Sequence, residues 1–313
     1  MSYKRIMLKL SGEALSKEGE QGIDHESVMD LAKEIQSVAK KGIQIVIVVG
    51  GGNIWRWRDT TESGIERTAS DAIGMLATIM NSVALQSALE FLSLDTRVCS
   101  AINVPQLAEP FIRRRALRHL EKGRIVICAG GTGNPYFTTD SAAALRASEL
   151  QCDILLKATN VEGVYDKDPD EHKDAKLYSS LKYSEAISQN LRIMDQAAFS
   201  LCMEQKLPIR VFNSGSKGNL LSAAQGKTTP LYGSTRRFFP SAVGKGAGTS
   251  ACRVCEIADR PCECRNRRSR TGGCLRAEAG IAFRCRCFCA GCALPRHPAV
   301  GQGNPLAGGS CSQ

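Results

Sequence analysis

Between residues 5 and 213, short apolar runs rich in β-branched residues alternate with amphipathic segments of helical length, and few architectures accept that order. IQIVIVV at 43–49 is the strongest instance, because a run with almost no polar face suits a strand covered on both sides. RIMLKL (5–10), TRVCSA (96–101), RIVICA (124–129), DILLKA (153–158) and PIRVFN (208–213) read as further strands. Between them lie SVMDLAKEIQSVAKK (27–41), DAIGMLATIMNSVALQSALEFL (71–92) and the basic RRRALRHLEK (113–122). Further helices are expected from about Asp140 to Leu150 and near 195–206. The 71–92 segment is apolar nearly all round, so it should be mostly buried. The alternation predicts an α/β fold, a three-layer αβα sandwich around a mainly parallel sheet.

The pattern stops near Lys227. Residues 1–227 carry 28 Lys+Arg against 27 Asp+Glu, whereas residues 228–313 carry 13 against four, so the net charge of +10 sits nearly all in the second stretch. Cysteine divides the same way, with Cys99, Cys128, Cys152 and Cys202 in the first part and ten in the last 62 residues. The first part therefore describes a near-neutral domain of a reducing compartment, large enough for one substantial core. MSYKRIMLKLSGEAL does not read as a signal peptide, since Lys9 interrupts an apolar run that is already short. No segment approaches the roughly 18 apolar residues of a membrane span. A cytoplasmic location without a membrane partner is expected.

Three strands run into loops of small residues: LKLSGEA, VVGGGNIWR and AGGTGNPYFTTD. At the carboxyl ends of parallel strands, glycine lets backbone N–H groups approach phosphate oxygens, and a following helix N-terminus adds favourable partial charge. The standard phosphate motifs fail here. Tyr136 stands where a dinucleotide fingerprint begun by Gly131 and Gly133 needs glycine, and Leu221 stands where a P-loop ending in Gly226-Lys227-Thr228 needs one. Asn134 offers a donor and an acceptor suited to a base edge, while Thr138 and Thr139 put hydroxyls just before Asp140, an expected helix N-cap. Cap chemistry alone accounts for Thr139 and Asp140 but leaves Asn134 and the glycines unused.

Two lysines fit phosphoryl transfer. Lys9 ends the first strand beside Ser11-Gly12, and Lys157 ends DILLKA beside Thr159. A metaphosphate-like transition state spreads charge over equatorial oxygens, so it needs fixed cations and N–H donors more than a nucleophilic side chain. The plain alternative is two lysines snorkelling from strand ends into water.

KLSGEAL, GGGNIWR, SDAIGMLAT, GTGNPYFTTDSAA, LLKATNVEGVYDKDP and LPIRVFN follow one another at family-like intervals. From residue 3 to about 227 the chain closely resembles the bacterial uridylate (UMP) kinases of the amino-acid-kinase superfamily, and GTGNPYFTTD separates these from their superfamily relatives. The resemblance implies transfer of the ATP γ-phosphate to UMP, giving UDP and ADP in pyrimidine nucleotide biosynthesis, with magnesium accompanying ATP. It also implies a homohexamer, activated by GTP and inhibited by UTP. By matching position, Lys9, Leu10, Ser11 and Gly12 would line the ATP phosphate site. Gly51 would meet the UMP phosphate, with Gly52 and Arg56 on the ATP side. Asp71, opening the long helix, would accept hydrogen bonds from the UMP ribose. Thr132, Gly133, Asn134, Pro135, Tyr136, Phe137, Thr138 and Thr139 would surround the uridine, and Thr159, Asn160, Tyr165 and Asp168 would contact adenosine. Lys17, Glu18, Gly19, Glu20, Gln21 and Gly22 match the region tied to GTP activation. Catalysis would rest on Lys9, Lys157, Arg56 and Asp140, the last orienting a lysine or the metal. No general base is required, because the UMP phosphate is already an anion. Asp195 reads equally as a supporting group or as an ordinary helix N-terminus.

Two departures stand out. Trp57 occupies a position that is usually small in the family, and the short closing strand after QGK is not recognisable. Its loss would expose the sheet edge near the nucleotide site. The segment 228–313 holds twelve Gly, six Pro, ten Cys and twelve Arg without apolar periodicity, which reads as an irregular or disordered tail. An out-of-frame GC-rich message would yield such a composition. A zinc appendage using Cys252-x-x-Cys255 and Cys289-x-x-Cys292, or a basic arm reaching nucleic acid through RNRRSR (265–270), is less favoured. Three functional readings therefore stand: a UMP kinase, a superfamily kinase with a carboxylate or carbamate acceptor, and an impaired copy whose tail binds zinc or nucleic acid.

Overall fold

A computed structural model describes residues 3–57, 64–167, 169, 171–172, 174–189, 191, 193–227 and 231–232. The sheet contains β1 (Arg5–Leu10), β2 (Gln44–Val49), β3 (Thr96–Ser100), β4 (Glu109–Pro110), β5 (Ile125–Ala129), β6 (Ile154–Thr159), β7 (Ser180–Leu181), β8 (Ile209–Asn213) and β9 (Leu231–Tyr232). Their order is β4-β3-β5-β2-β1-β6-β8-β9-β7. Every pairing is parallel except that of β8 with β9. The helices are α1 (His25–Ala39), α2 (Arg67–Phe91), α3 (Arg113–Glu121), α4 (Thr139–Glu149), α5 (Tyr183–Ser188), α6 (Gln196–Glu204) and α7 (Asn219–Ala224). The expected parallel αβα architecture is thus present.

Strand parity assigns the two faces. Ile6, Leu8 and Leu10 of β1 pack with Val28, Ile35, Leu85, Leu89 and Leu220 from α1, α2 and α7. Met7 packs with Leu120, Ala143, Ala147 and Ala198 from α3, α4 and α6 on the other side. Each large aliphatic side chain so buried contributes about 1.5–3 kcal/mol. Lys9 shares the Met7 face and Lys157 shares the Leu155 face, because side chains two apart on a strand point the same way. Both lysines therefore face α4. That helix buries Ala142, Ala143, Ala144 and Ala147, and their small side chains let its first turn lie close to the strand ends. Cys99, Cys128, Cys152 and Cys202 are all buried. Burial pushes the Cys99 and Cys202 thiols up to about 12, so they pack as small apolar groups.

Three expectations need correction. First, α1 and α2 begin earlier than the apolar pattern suggested. Asp24 caps α1 by accepting from the Ser27 N–H at 2.8 Å, and α2 opens at Arg67, so Asp71 lies in its second turn. Second, α2 is not mostly buried. Only its inner stripe meets the sheet, leaving Ile73, Leu76, Met80 and Phe91 exposed, the last at 78 %. This helix also has the length and apolarity of a bilayer span, contrary to the expectation that no segment would. Third, a closing strand exists. β9 pairs Leu231 with Arg210 and Tyr232 with Ile209, covering that stretch of the β8 edge. Two residues are too short a run for alternation to reveal. The remainder of 228–313, with the expectations of disorder, zinc or nucleic-acid binding attached to it, lies outside the described residues.

Candidate active site

The order β5-β2-β1-β6-β8 places five adjacent carboxyl ends, and the loops that follow them, along one edge of the sheet. The loops after β1 and β2 touch. A Cβ on Gly12 would stand 2.5 Å from Asn53 Oδ1 and 2.8 Å from the Gly52 nitrogen, so only glycine permits this approach. Asn53 and Asn81, both buried, tie the arrangement together. Asn53 Nδ2 donates to the Gly22 carbonyl at 2.7 Å, and Asn81 Nδ2 donates to the Gly50 carbonyl at 2.7 Å. Gly12→Ala is expected to force these loops apart and cost about 1–3 kcal/mol, the usual penalty of overpacking. Denaturant titration would measure it, and an unchanged midpoint would show that the contact is slack.

Beneath the loops, Lys9 and Lys157 are register partners on β1 and β6. Asp140, in the first turn of α4, lies between them. Lys9 Nζ is 2.8 Å from Asp140 Oδ1, and Lys157 Nζ donates to Asp140 Oδ2 at 2.7 Å. Lys157 also donates to the Ile193 carbonyl at 2.7 Å. The ammonium groups are thus held under the site, not released to solvent, with side-chain exposures of 12 % and 15 %. Burial alone would raise the Asp140 carboxyl, but Lys9 and Lys157 together outweigh it and hold the group below the ordinary carboxylate range. Burial pulls the Lys157 ammonium below the usual lysine value, with Asp140 opposing and Lys9 assisting that shift.

Asp140 is not the N-cap of α4. Thr138 caps the helix, its hydroxyl accepting from the Asp140 and Ser141 N–H groups. Asp140 is thereby free to turn toward the lysines. Asp195 is both of the things its position suggested. It caps α6 by accepting from the Ala198 N–H at 2.9 Å, and it accepts from the Thr138 and Ser141 hydroxyls that flank Asp140.

Among the cavities that open on this edge, two bear on the residues singled out from sequence. One of about 690 Å³ is lined by Ser11, Glu13, Lys17, Glu18, Gly19, Glu20, Gln21, Gly52, Asn53, Arg56, Thr159, Asn160, Asn213, Ser214 and Gly215. The other, of about 640 Å³, is lined by Glu13, Gly51, Gly52, Trp55, Arg56, Trp57, Arg67, Ser70, Asp71, Met75, Thr78, Thr132, Asn134, Phe137, Thr138 and Thr139. Glu13, Gly52 and Arg56 belong to both and form their common wall. At the second cavity, Arg67 Nε donates to both Asp71 oxygens at 2.9 Å, and the Tyr136 N–H donates to Asp71 at 2.8 Å. The Arg67 guanidinium also lies 4.1 Å from the centre of the Trp57 ring.

Residues 4–213 match the sequence model of the amino acid kinase family. The chain belongs to that family. Among solved structures it is similar to the UMP kinase from Bacillus anthracis, at 39 % identity and a TM-score of 0.73, covering 74 % of this chain and 97 % of that one. It is also similar to the UMP kinase from Ureaplasma parvum, at 37 % identity and a TM-score of 0.71 over 75 % of this chain and all of the other. Uridylate kinase from Archaeoglobus fulgidus matches at 29 % identity and a TM-score of 0.57, over 74 % of this chain and all of that one.

In this amino acid kinase, most residues singled out from sequence lie on the two cavities. Ser11, Gly52, Arg56, Thr159 and Asn160 meet on the first; Gly51, Asp71, Thr132, Asn134, Phe137, Thr138 and Thr139 meet on the second. Lys17 to Gln21 line the first cavity itself, while the Gly22 N–H donates to the Asn53 carbonyl at 2.7 Å. Leu10 is in the core, and Tyr165 forms a backbone bridge with Leu177 instead of lining either cavity. Gly133, Pro135 and Tyr136 do not line the second cavity, although the Tyr136 backbone reaches Asp71. Asp168 lies outside the described residues. Sequence reading missed Asn213, Ser214 and Gly215, although NSGSKGN after PIRVFN repeats the signal of small residues seen at the other three strand ends. It also missed Glu13, Asn53 and Arg67.

Among the described residues, no group of three or more His, Cys, Asp or Glu side chains is arranged to hold a metal. Asp140, the carboxylate nearest the lysines, is committed to them.

Proposed function

We propose that this amino acid kinase is a UMP kinase, taking MgATP in the first cavity and UMP in the second. The observation that supports this best is the shared Glu13–Gly52–Arg56 wall, on the sheet edge where Lys9 and Lys157 are held by one carboxylate, although neither lysine lines either cavity. A UMP phosphate oxygen forms a bond to the γ-phosphorus while the bond from that phosphorus to the β–γ bridging oxygen breaks, giving UDP and ADP. Lys9, Lys157 and Arg56 face the charge that spreads over the transferred oxygens, and low exposure strengthens the lysine contribution. Asp140 keeps the two ammonium groups side by side. Asp71 presents a carboxylate to the acceptor sugar, and the amide of Asn134 suits a base edge. Magnesium bound to ATP would offset phosphate charge, and no group of three or more His, Cys, Asp or Glu among the described residues is arranged to hold it instead.

The proposal extends to a cytoplasmic homohexamer whose subunits pack through the exposed apolar stripe of α2. GTP activates and UTP inhibits, with the 17–22 loop, on the wall of the ATP cavity, as the route of GTP action. ADP release with ATP, magnesium and a panel of UMP, CMP, glutamate, aspartate and carbamate tests the reading. Turnover with UMP alone is expected. Turnover with a carboxylate or carbamate would transfer the assignment to another branch of the family, and silence on all acceptors would mark an impaired copy.

Trp57→Ala should raise the UMP KM about two- to fivefold with kcat unchanged, since a cation–π contact at an exposed position is worth about 0.5–1 kcal/mol. Only Trp55 and Trp57 carry indole in this chain, so UMP should also change tryptophan emission in the wild type and much less in Trp57→Ala. An equal change in both proteins would place Trp57 away from the acceptor.

A further inference from the structure

Arg56 is not a free cation waiting for phosphate. Its Nε donates to the Gly52 carbonyl at 2.7 Å, and its Nη2 is paired with Glu13 Oε1. Nε and Nη2 form the side edge of the guanidinium fork, so that edge is filled by protein oxygens. Among the described residues nothing occupies the end edge, Nη1 and Nη2, which keeps two parallel N–H groups, the arrangement that recognises a phosphate with two hydrogen bonds. Arg56 belongs to the wall shared by both cavities.

Glu13 reaches this spot because of the chain around it. It follows Gly12 in a short 3-10 turn, Gly12–Leu15, that begins directly after β1 and is capped by Ser11. The absence of a Cβ on Gly12 presses that turn against Gly52 and Asn53. The Glu13 carboxylate is thereby brought to a residue 43 positions later, Arg56. Both side chains are 48 % exposed, so the pair adds little to the stability of the fold.

We infer that Glu13 is a positioning residue. Together with the Gly52 carbonyl it fixes the plane of the Arg56 guanidinium and turns its free edge toward the point where donor and acceptor phosphates meet. This inference rests on the proposed kinase reading and adds to it a residue of the shared wall that acts through Arg56. A guanidinium held by a single anchor rotates about it, and loss of alignment of this kind costs up to about a hundredfold in rate. Binding suffers far less, because Arg56 still carries its charge.

Glu13→Ala is therefore expected to lower kcat about ten- to hundredfold, with both nucleotide KM values within about threefold of the wild type. Glu13→Gln retains an oxygen acceptor without charge and should restore kcat to within about threefold. A purely structural role would lower the melting temperature of both variants and would not separate kcat from KM. An unchanged kcat in Glu13→Ala, or a Glu13→Gln enzyme as slow as Glu13→Ala, would overturn the inference. The Arg56 Nε–H resonance in ¹⁵N spectra of the full chain decides the geometry without any turnover. It should be distinct in the wild type and Glu13→Gln, and should merge with free arginine side chains in Glu13→Ala. Resonances that are identical in all three proteins would also overturn it. A wild type silent on every acceptor would instead mark an impaired copy, against the proposed UMP kinase activity, and leave the spectra to judge Glu13.

Discussion

Asp140→Asn is expected to lower kcat about 10³-fold and to destabilise the fold by about 3 kcal/mol. The substitution is nearly isosteric, so both effects come from charge. Without the carboxylate, two ammonium groups on neighbouring strands lose their common counter-ion at low exposure. The loss stays near the lower end of the range for a broken buried pair, because Lys157, already below the ordinary lysine value, sheds its proton more readily. The pH dependence carries the signature. Asp140 is depressed in the folded state, so its stabilisation is complete above the ordinary aspartate range and is lost as pH falls through the lower, folded value. That acid limb should vanish in the variant. Lys157 is also depressed, so its protonated form penalises the fold, and stability from this group rises as pH climbs from its folded value toward the ordinary one. In Asp140→Asn this window should widen downward, carrying the alkaline limb of residual activity with it. Urea titrations at several pH values would check both limbs. Wild-type stability with an unchanged acid limb would mean that Asp140 does not hold the lysines.

Lys9→Met is expected to behave differently. It should reduce kcat about 10²- to 10³-fold, the cost of removing one charge-stabilising donor. Stability should stay within about 1 kcal/mol, since Asp140 keeps its hydrogen bond from Lys157 at 2.7 Å. Lys9 is also one of the charges that lower the Lys157 ammonium, so its removal relieves a repulsion. Nucleotide KM values should move by less than about threefold if Lys9 acts chiefly on the moving phosphoryl group. Steady-state kinetics beside thermal melting would separate the two variants. A Lys9→Met enzyme that loses stability as Asp140→Asn does would show that the lysine is a structural counter-ion.

Much of this was legible in the sequence, for identifiable reasons. Strand runs such as IQIVIVV declare themselves through length and branching, and a lysine that ends such a run must lie at the carboxyl edge of a parallel sheet. Parity then places Lys9 and Lys157 on one face without any structure. The choice of cap was not legible. Thr138, Thr139 and Asp140 are all good N-caps, and only the position of the lysines shows why Asp140 is released from that duty. The outer face of α2 misled because an apolar helix can be wrapped on all sides or exposed along one stripe, with the same composition. The bond between Arg67 and Asp71 spans one helical turn and was readable, but the start of α2 had been placed at Asp71, which left Arg67 outside the helix. Strands of two residues, β4, β7 and β9, carry no periodicity at all.

The shortest of these elements sets a practical limit on how the protein can be trimmed. β7 joins the sheet by pairing with β9, and β9 lies beyond the point where the familiar sequence stops. Removing the unfamiliar segment at its apparent start, after Lys227, would therefore take away the strand that links Ser180 and Leu181 to β8. A shortened version that keeps the whole sheet has to extend past Tyr232, so the boundary suggested by composition and the boundary required by hydrogen bonding are different places in the chain.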